Sequence, residues 1–460
     1  MLNRLLPAGL VLFLAACSTG APRPDIDVAE RRESYNGSLP PMRTFSQPAA
    51  APTHRSNAQL AEDFLELSFK MESGRRLPML TRFEGPVTLA VKGNAPASLR
   101  GDLTRLVSRL QREAGINISM AEPGAHTPSI VVQIVPKREL QRLVPTAACF
   151  VVPRVSTWSE FRKSRRTKTV DWASLDERKR IAVFLPGDVS PQEIRDCLHE
   201  EIAQALGPLN DLYRLPDSVF NDDNFHTVLT GFDMLMLRIY YDPALRNGMT
   251  RAQVAARLPG ILARANPGGS RATRGFASYT PRAWIDAIET ALGPRARPAA
   301  RLQAAKKAVA ISKQQGWRGN RAAFSLYALG RLSLSREPEL SLSSFLEASR
   351  LYRGNPETQV QAAHVAMQLA AFSLSSGQAD STLAQIEGVL PAVRRAENAA
   401  LLSTLLLIKA EAYELMGRAA EAAAVRTEAL GWARYGFGSD AVVRARASEI
   451  SSLKPRHRLQ

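Results

Sequence analysis

Cysteine is scarce in this chain, 3 in 460 residues, and neither a Cys-x-x-Cys pair nor the Cys/His spacing of a structural zinc site occurs. That excludes zinc fingers and thioredoxin-like redox chemistry. Beyond the N-terminal segment, no stretch offers the roughly 18 consecutive apolar residues of a membrane-spanning helix. A glycine-rich loop able to cradle phosphate is missing, as is any Ser/His/Asp or Cys/His nucleophile motif. Acidic residues are outnumbered, 43 Asp+Glu against 60 Lys+Arg, which leaves a formal net charge of +17 and favours anionic partners. What is present in quantity is apolar. With 45% hydrophobic residues in 460, the chain can build two folded domains and still carry a tail.

The N-terminus sets an expectation for the compartment. Arg4 precedes a short apolar run, Leu5 to Leu14, which ends in Leu14-Ala15-Ala16-Cys17. Such a run is a signal-peptide core, too short to span a bilayer. Leu-Ala-Ala-Cys resembles the bacterial lipobox, which implies removal of residues 1–16 as a signal peptide and lipidation of Cys17 with palmitate-like chains. Ser18 stands where an inner-membrane retention signal would place Asp, which favours the outer membrane. The expected product is an outer-membrane lipoprotein, lipid-anchored and facing the periplasm. Residues 17–56, rich in Pro, Ser, Ala and Arg, are expected to be its flexible tether. In that oxidising compartment Cys149 and Cys197 are expected to form a disulfide, the alternative being two buried thiols. An exported chain seldom meets nucleic acid, so no nucleic-acid partner is expected and the charge points to anionic envelope polymers or lipid head groups. The densest basic run, Arg162-Lys163-Ser164-Arg165-Arg166-Thr167-Lys168, lies near Trp158 and Trp172 and is the candidate contact, against the plainer reading of a solvated loop.

Hydrophobic periodicity divides the rest. A helix starting near Asn57 carries Leu60, Phe64, Leu67 and Met71 on one face. Val87–Val91, Ile116–Ser119, Ile130–Val135, Cys149–Val155 and Ile181–Leu185 read as strands, with an amphipathic helix over Leu99–Ala114. Ser190 and Pro191 open another helix, Ser190 as its cap. Helices are expected over Phe225–Tyr241, with Asn224 or Asp223 as cap, and over Arg251–Ala265, before the breaker Asn266-Pro267-Gly268-Gly269. Residues 57–268 are thus expected to form an α+β domain, 269–298 a linker, and 299–455 an α-helical repeat domain. Within the last, Ala410, Tyr413, Gly417, Ala422 and Ala429 resemble a tetratricopeptide repeat, whose small residues let paired helices approach. A shift of 40 residues puts Gly377 on Gly417 and Ala370 on Ala410; a second shift puts Gly330 on Ala370.

The segment richest in chemical meaning is His199-Glu200-Glu201-Ile202-Ala203-Gln204-Ala205-Leu206-Gly207-Pro208-Leu209-Asn210-Asp211. It resembles the metzincin pattern H-E-x-x-H-x-x-G-x-x-H, in which two His one helical turn apart and a third His after a Gly turn bind zinc. Glu200, Gln204 and Asn210 occupy the three His positions, Glu201 the catalytic Glu and Gly207 the turn. Pro216 to Asp223 then sits where metzincins run a tight turn under the metal, with Phe220 where a Met would be. Oxygen donors alone bind zinc poorly and lean toward Ca²⁺ or Mg²⁺, and His199 has Ala203 as its i+4 partner; no metal and no cofactor is expected, a hard cation being the alternative. His226 could reach the site across the turn, although a lone His there is more commonly a surface or capping residue. Glu200, Glu201, Asp211, Asp222 and Asp223 are close enough in sequence to line one cleft as an acid–base pair for glycan cleavage, against the reading that they cap and support turns. In the plainer account Gln204 and Asn210 donate to loop carbonyls, while Glu200 or Glu201 accepts from the turn at Ser218 and Asn221.

Together, the lipobox, the Glu-Glu-x-x-Gln-x-Leu-Gly-x-x-Asn-Asp segment and the following Ser-Val-Phe-Asn-Asp resemble a family of bacterial lipoproteins known as domain of unknown function 2927. The resemblance covers roughly Leu60 to Gly268, about half the mature chain, and implies a fold and location without an activity. The expected architecture is an α+β zincin-like domain followed by an all-α, tetratricopeptide-like domain. The expected role is that of a pseudoenzyme: a non-catalytic periplasmic protein-binding or assembly factor. Its repeats would hold envelope protein partners, and the degenerate cleft (Glu200, Gln204, Gly207, Asn210, Asp211, Ser218) would hold a peptide or polymer. The alternative is a divergent metal-dependent hydrolase acting on envelope peptides or peptidoglycan, with Glu201 as its base.

Overall fold

The computed structural model of the chain describes residues 38–45, 53, 55–122, 127–271, 279–293 and 295–455. Residues 1–16, Cys17 and most of the 17–56 tether lie outside the described residues.

The first unit alternates strands and helices: α1 (Asn57–Ser68), β1 (Val87–Lys92), α2 (Ala97–Ala114), β2 (Ile118–Met120), β3 (Ile130–Val135), α3 (Lys137–Leu143), β4 (Phe150–Pro153), α4 (Trp158–Ser164), β5 (Ile181–Pro186), α5 (Pro191–Leu206), α6 (Gly231–Tyr240) and α7 (Arg251–Ala265). Ser56 opens α1 with a capping box to Gln59, and the breaker at Asn266 ends α7. The sheet has the order β2-β1-β3-β5-β4. All neighbours run parallel except the edge strand β4, which pairs antiparallel with β5. The expected α+β arrangement is therefore corrected to an α/β region. Successive parallel strands need crossover segments, and helices supply most of them here.

Both faces of the sheet are covered, so the inner strand β5 is apolar throughout and β3 carries a single polar residue, Gln133. In β5, Ile181, Val183 and Leu185 point to the main core, shared with α1, α2, α5 and α6. Ala182 and Phe184 point the other way, into a smaller cluster with Trp158 and Phe161 of α4. The helix expected over Phe225–Tyr241 begins only at Gly231, because Thr230 and Asp233 form a capping box and Asn224 takes a left-handed turn with φ of 55°.

The second unit is helical: α8 (Arg282–Leu292), α9 (Pro298–Gln314), α10 (Asn320–Ser333), α11 (Pro338–Arg353), α12 (Gln359–Ser375), α13 (Ala379–Glu387), α14 (Leu390–Arg395), α15 (Ala399–Leu415), α16 (Ala419–Phe437) and α17 (Asp440–Ser451). Thus the stretch 269–298 contains a packed helix, α8, anchored by the fully buried Trp284. The 40-residue spacing has a structural counterpart. Gly377 and Gly417 both turn the chain with positive φ after α12 and α15. Ala370 and Ala410 are fully buried, and Gly330 lies against the Phe345 ring, which a β-carbon there would approach to 2.8 Å.

The two units share buried contacts. Arg195 on α5 pairs with Glu397 at 2.7 Å, Gln192 donates to Asn398, and the Tyr435 hydroxyl reaches Asp102 on α2. Residues 38–45, expected as flexible tether, are docked on α16: Arg43 N–H donates to Gly431 O, and Phe45 stacks on Trp432 with centroids 4.3 Å apart. An apolar aromatic with a ready indole partner overrides the segment's loop-like composition.

Candidate functional site

Helix α5 positions the motif. The Ser190 hydroxyl accepts from Glu193 N–H, Pro191 occupies the first turn, and Ile194, Leu198, Ile202 and Ala205 bury its inner face. Glu200 and Gln204, four residues apart, share one side; Glu201 lies about 100° further round and is buried. The C-terminal carbonyls of α5 are held by Arg178, whose guanidinium donates to Gln204 O, Ala205 O and Gly207 O at 2.6, 2.8 and 2.5 Å. Nothing in sequence spacing points to Arg178. Gly207 is needed because a β-carbon there would come within 3.0 Å of the Tyr240 ring.

Past the helix, the positions of the second and third metzincin His are engaged in structural bonds. Gln204 Nε2 donates to Glu72 Oε1 at 3.2 Å, and Asn210 Nδ2 donates to Glu66 O at 3.0 Å. Leu209 N–H donates to Leu67 O, so the irregular segment after α5 is fastened to the last turn of α1. The expectation that Gln204 meets a loop carbonyl is corrected: its partner is a carboxylate. The expectation that Glu200 or Glu201 receives the turn at Ser218 and Asn221 is corrected as well. Ser218 Oγ donates to Asp233 Oδ1 at 2.5 Å, while Asn221 Nδ2 donates to Leu215 O and Asp223 Oδ2. Asp233 is fully buried and already fixed by its capping role, so it is the better-organised acceptor.

Carboxylates do converge beside α5. Glu72 and Asp222 are exposed at the rim of the cleft, Glu200 and Asp211 are half-buried, and Glu201 lies at the floor. Burial pushes Glu200 up to about 8, helped by the negative charges of Glu72, Asp222 and Asp196. Glu201 and Asp211 are raised well above their ordinary values by burial first, and second by the charges of Glu200 and Glu72 on Glu201 and of Asp222, Glu72, Glu200 and Glu201 on Asp211. Glu72 and Asp222 are raised too, by partial desolvation in the concave site and by, respectively, Asp222 and Glu289. The group therefore holds protons near neutral pH. Asp223 is turned away from the cleft, accepting from Phe225 N–H and Asn221, so Glu72 takes its place in the five expected from sequence. Glu72 had no sequence signal: it sits in a turn after α1, 128 residues before Glu200, and Glu72 N–H donates to Leu209 O.

The histidines do not join this group. His199 is buried, accepts from Leu229 N–H at Nδ1, and is held neutral by desolvation and the charges of Arg195, Arg109 and Arg105. His226 Nε2 donates to Pro216 O at 3.0 Å. Among the described residues, no group of three or more His, Cys, Asp or Glu side chains is arranged to hold a metal ion. The loop beyond Asp211 instead packs against the helical unit. Tyr213 meets the Trp284 ring edge-on at 5.1 Å, Phe225 lies 4.7 Å from His364, and Gln361 Nε2 donates to Pro216 O at 2.5 Å.

Cys149 and Cys197 form a disulfide that ties the approach to β4 to α5. Arg162, Lys163, Arg165, Arg166 and Lys168 are all exposed around the end of α4. Trp158 and Trp172 do not accompany them to the surface: both are buried, Trp158 in the aromatic cluster and Trp172 under Arg178. No described helix is long and apolar enough to cross a membrane.

Residues 57–260, a little under half of the chain, match the family model described as "Protein of unknown function (DUF2927)", so this segment is similar to that family. No curated protein and no solved structure matches the chain.

Proposed function

We propose that this chain is a non-catalytic outer-membrane lipoprotein of the DUF2927 family, a zincin-like pseudoenzyme fused to tetratricopeptide-like helices that binds an envelope protein partner. Cys17 is its lipid anchor in this reading, and the exposed cations from Arg162 to Lys168 lie against anionic envelope polymer. The observation that carries the proposal is the use made of the motif positions. Gln204 and Asn210 spend their donors on Glu72 and Glu66 O, and the loop beyond them is packed into the helical unit rather than left to bind substrate. Hydrogen bonds and aromatic packing thus do the fastening that imidazole–metal bonds do in an active zincin.

One observation favours a second reading. Half-buried Glu200, which holds its proton to about 8, beside exposed Glu72 and Asp222, is the pairing of acid and base that hydrolysis of a glycan or peptide uses. The test is turnover of casein, peptidoglycan stem peptides and intact murein by the full chain, with and without added Zn²⁺ or Ca²⁺. Glu200→Gln and Glu201→Gln are run in parallel. The scaffold reading expects no turnover that either substitution removes. Turnover abolished by either variant, with its circular dichroism unchanged, establishes the hydrolase instead.

A further inference from the structure

The helical unit has a cavity of about 410 Å³ between α9, α10 and α11, far from the α5 cleft in sequence and opposite to it in charge. Its floor is apolar, made by buried side chains that include Val309 and Leu326. One wall is Trp317, whose ring is fixed from other sides by Arg321, 3.8 Å from its centroid, and by Trp284, 5.6 Å away. Lys313, Arg318 and Arg350 stand exposed around the opening, and none of the three is in an ion pair among the described residues. Glu347 is the one acid of the lining, so the rim keeps an excess of positive charge.

Elsewhere on this surface cations are commonly matched: Arg282 with Asp286 and Glu289, Lys306 with Glu337, Arg418 with Glu421. Three unmatched cations around an apolar floor with a pre-oriented indole form a composite surface. The charges select an anion, and the floor and ring select an aliphatic group attached to it. The volume is at the small end of ligand sites and suits two or three extended residues, not a folded domain.

We propose that this groove binds an extended acidic peptide, with a carboxylate against Lys313, Arg318 and Arg350 and an aliphatic side chain on the floor beside Trp317. This rests on the reading of the chain as a partner-binding protein and names the partner's contact chemistry. The occupant is a segment of a partner chain rather than a lipid or a glycan. A peptide supplies charge and aliphatic bulk at adjacent positions within the length available, whereas a neutral glycan leaves the cations unanswered.

The experiment is calorimetric titration of the full chain with an acetylated six-residue peptide of alternating leucine and aspartate with a free C-terminus. A control peptide carries asparagine for aspartate and a C-terminal amide. Saturable 1:1 binding of the acidic peptide, lost with the control, is expected. Lys313→Gln or Arg350→Gln should each raise Kd about 2- to 5-fold, and the pair about 10-fold, as exposed charge pairs do. Arg138→Gln/Arg142→Gln, two exposed cations on the other unit, should leave Kd unchanged and so reports any effect of net charge alone. Equal binding of both peptides, equal weakening by the remote pair, or no heat at millimolar peptide each overturns the groove. None of these touches the non-catalytic reading, which falls on the turnover assays above or if this peptide is cut.

Discussion

Replacing Glu200 with Gln is expected to stabilise this protein above neutral pH, and the size of the gain follows from where the carboxyl sits. Its ordinary value is 4.5, and burial with the charges of Glu72, Asp222 and Asp196 lifts it to about 8. Between those values the native state holds a proton that the unfolded chain has released. Stability from this group is therefore complete below about 4.5 and declines as pH rises, until the native carboxyl itself ionises near 8. Each pH unit in that window removes up to about 1.4 kcal/mol per proton. Over the two units from pH 5.5 to 7.5 the limit is nearly 3 kcal/mol, reduced to roughly 2 kcal/mol because Glu200 is only half-buried and water screens it. Gln keeps the shape and cannot ionise, so the substitution should remove that share of the slope. Urea unfolding of wild type and Glu200→Gln at pH 5.5, 6.5 and 7.5 measures it. The slope should flatten by about 1 kcal/mol per pH unit, leaving the variant roughly 2 kcal/mol more stable than wild type at pH 7.5. An unchanged slope, or a variant less stable at pH 7.5, would refute the account of a proton-holding acidic cleft.

Four further outcomes follow from the packing. Glu397→Gln removes the carboxylate charge paired with the buried Arg195 guanidinium, which keeps its bond to Glu397 O, and should cost about 2–3 kcal/mol, seen as a lower thermal midpoint; a loss under 1 kcal/mol would mean that the ion pair does not fasten the units there. Cys149→Ala/Cys197→Ala opens a link across 48 residues and should cost about 2–4 kcal/mol without changing the helical content by circular dichroism. Gly330→Ala places a methyl 2.8 Å from the Phe345 ring and should cost about 1–3 kcal/mol in urea unfolding, with Phe345→Leu in the same chain recovering part of it. Cys17→Ser should move the chain from the membrane fraction to the soluble periplasmic fraction if Cys17 is the lipid anchor.

Two aromatic side chains join the loop after α5 to the helical unit. Tyr213 and Phe225, from the loop after α5, belong to the same apolar cluster as Trp284, Phe324 and Tyr352 of the helical unit. Cutting near Gly268 would expose that cluster, and the full chain is the proper object for metal analysis or partner binding.

Local chemistry was legible in the sequence by itself. Ser190 and Pro191 announce the start of α5 because a hydroxyl cap and a ring without an N–H suit a first turn wherever the helix ends up. Apolar, β-branched runs announce β3 and β5, because a strand covered on both faces is apolar at nearly every position; Gln133 in β3 is tolerated because it accepts from Trp158 N–H. Gly377 and Gly417 mark the turns of two helical hairpins 40 residues apart because left-handed φ favours glycine. What only the tertiary structure decided is everything that joins residues distant along the chain. The strand order, the arrival of Glu72 beside Glu200, the fastening of Gln204 and Asn210 to α1 and its following turn, and the clamp of Arg178 on the end of α5 all depend on which surfaces meet. A carboxylate's proton affinity follows its neighbours and its access to water, and neither is a property of the residues beside it in sequence.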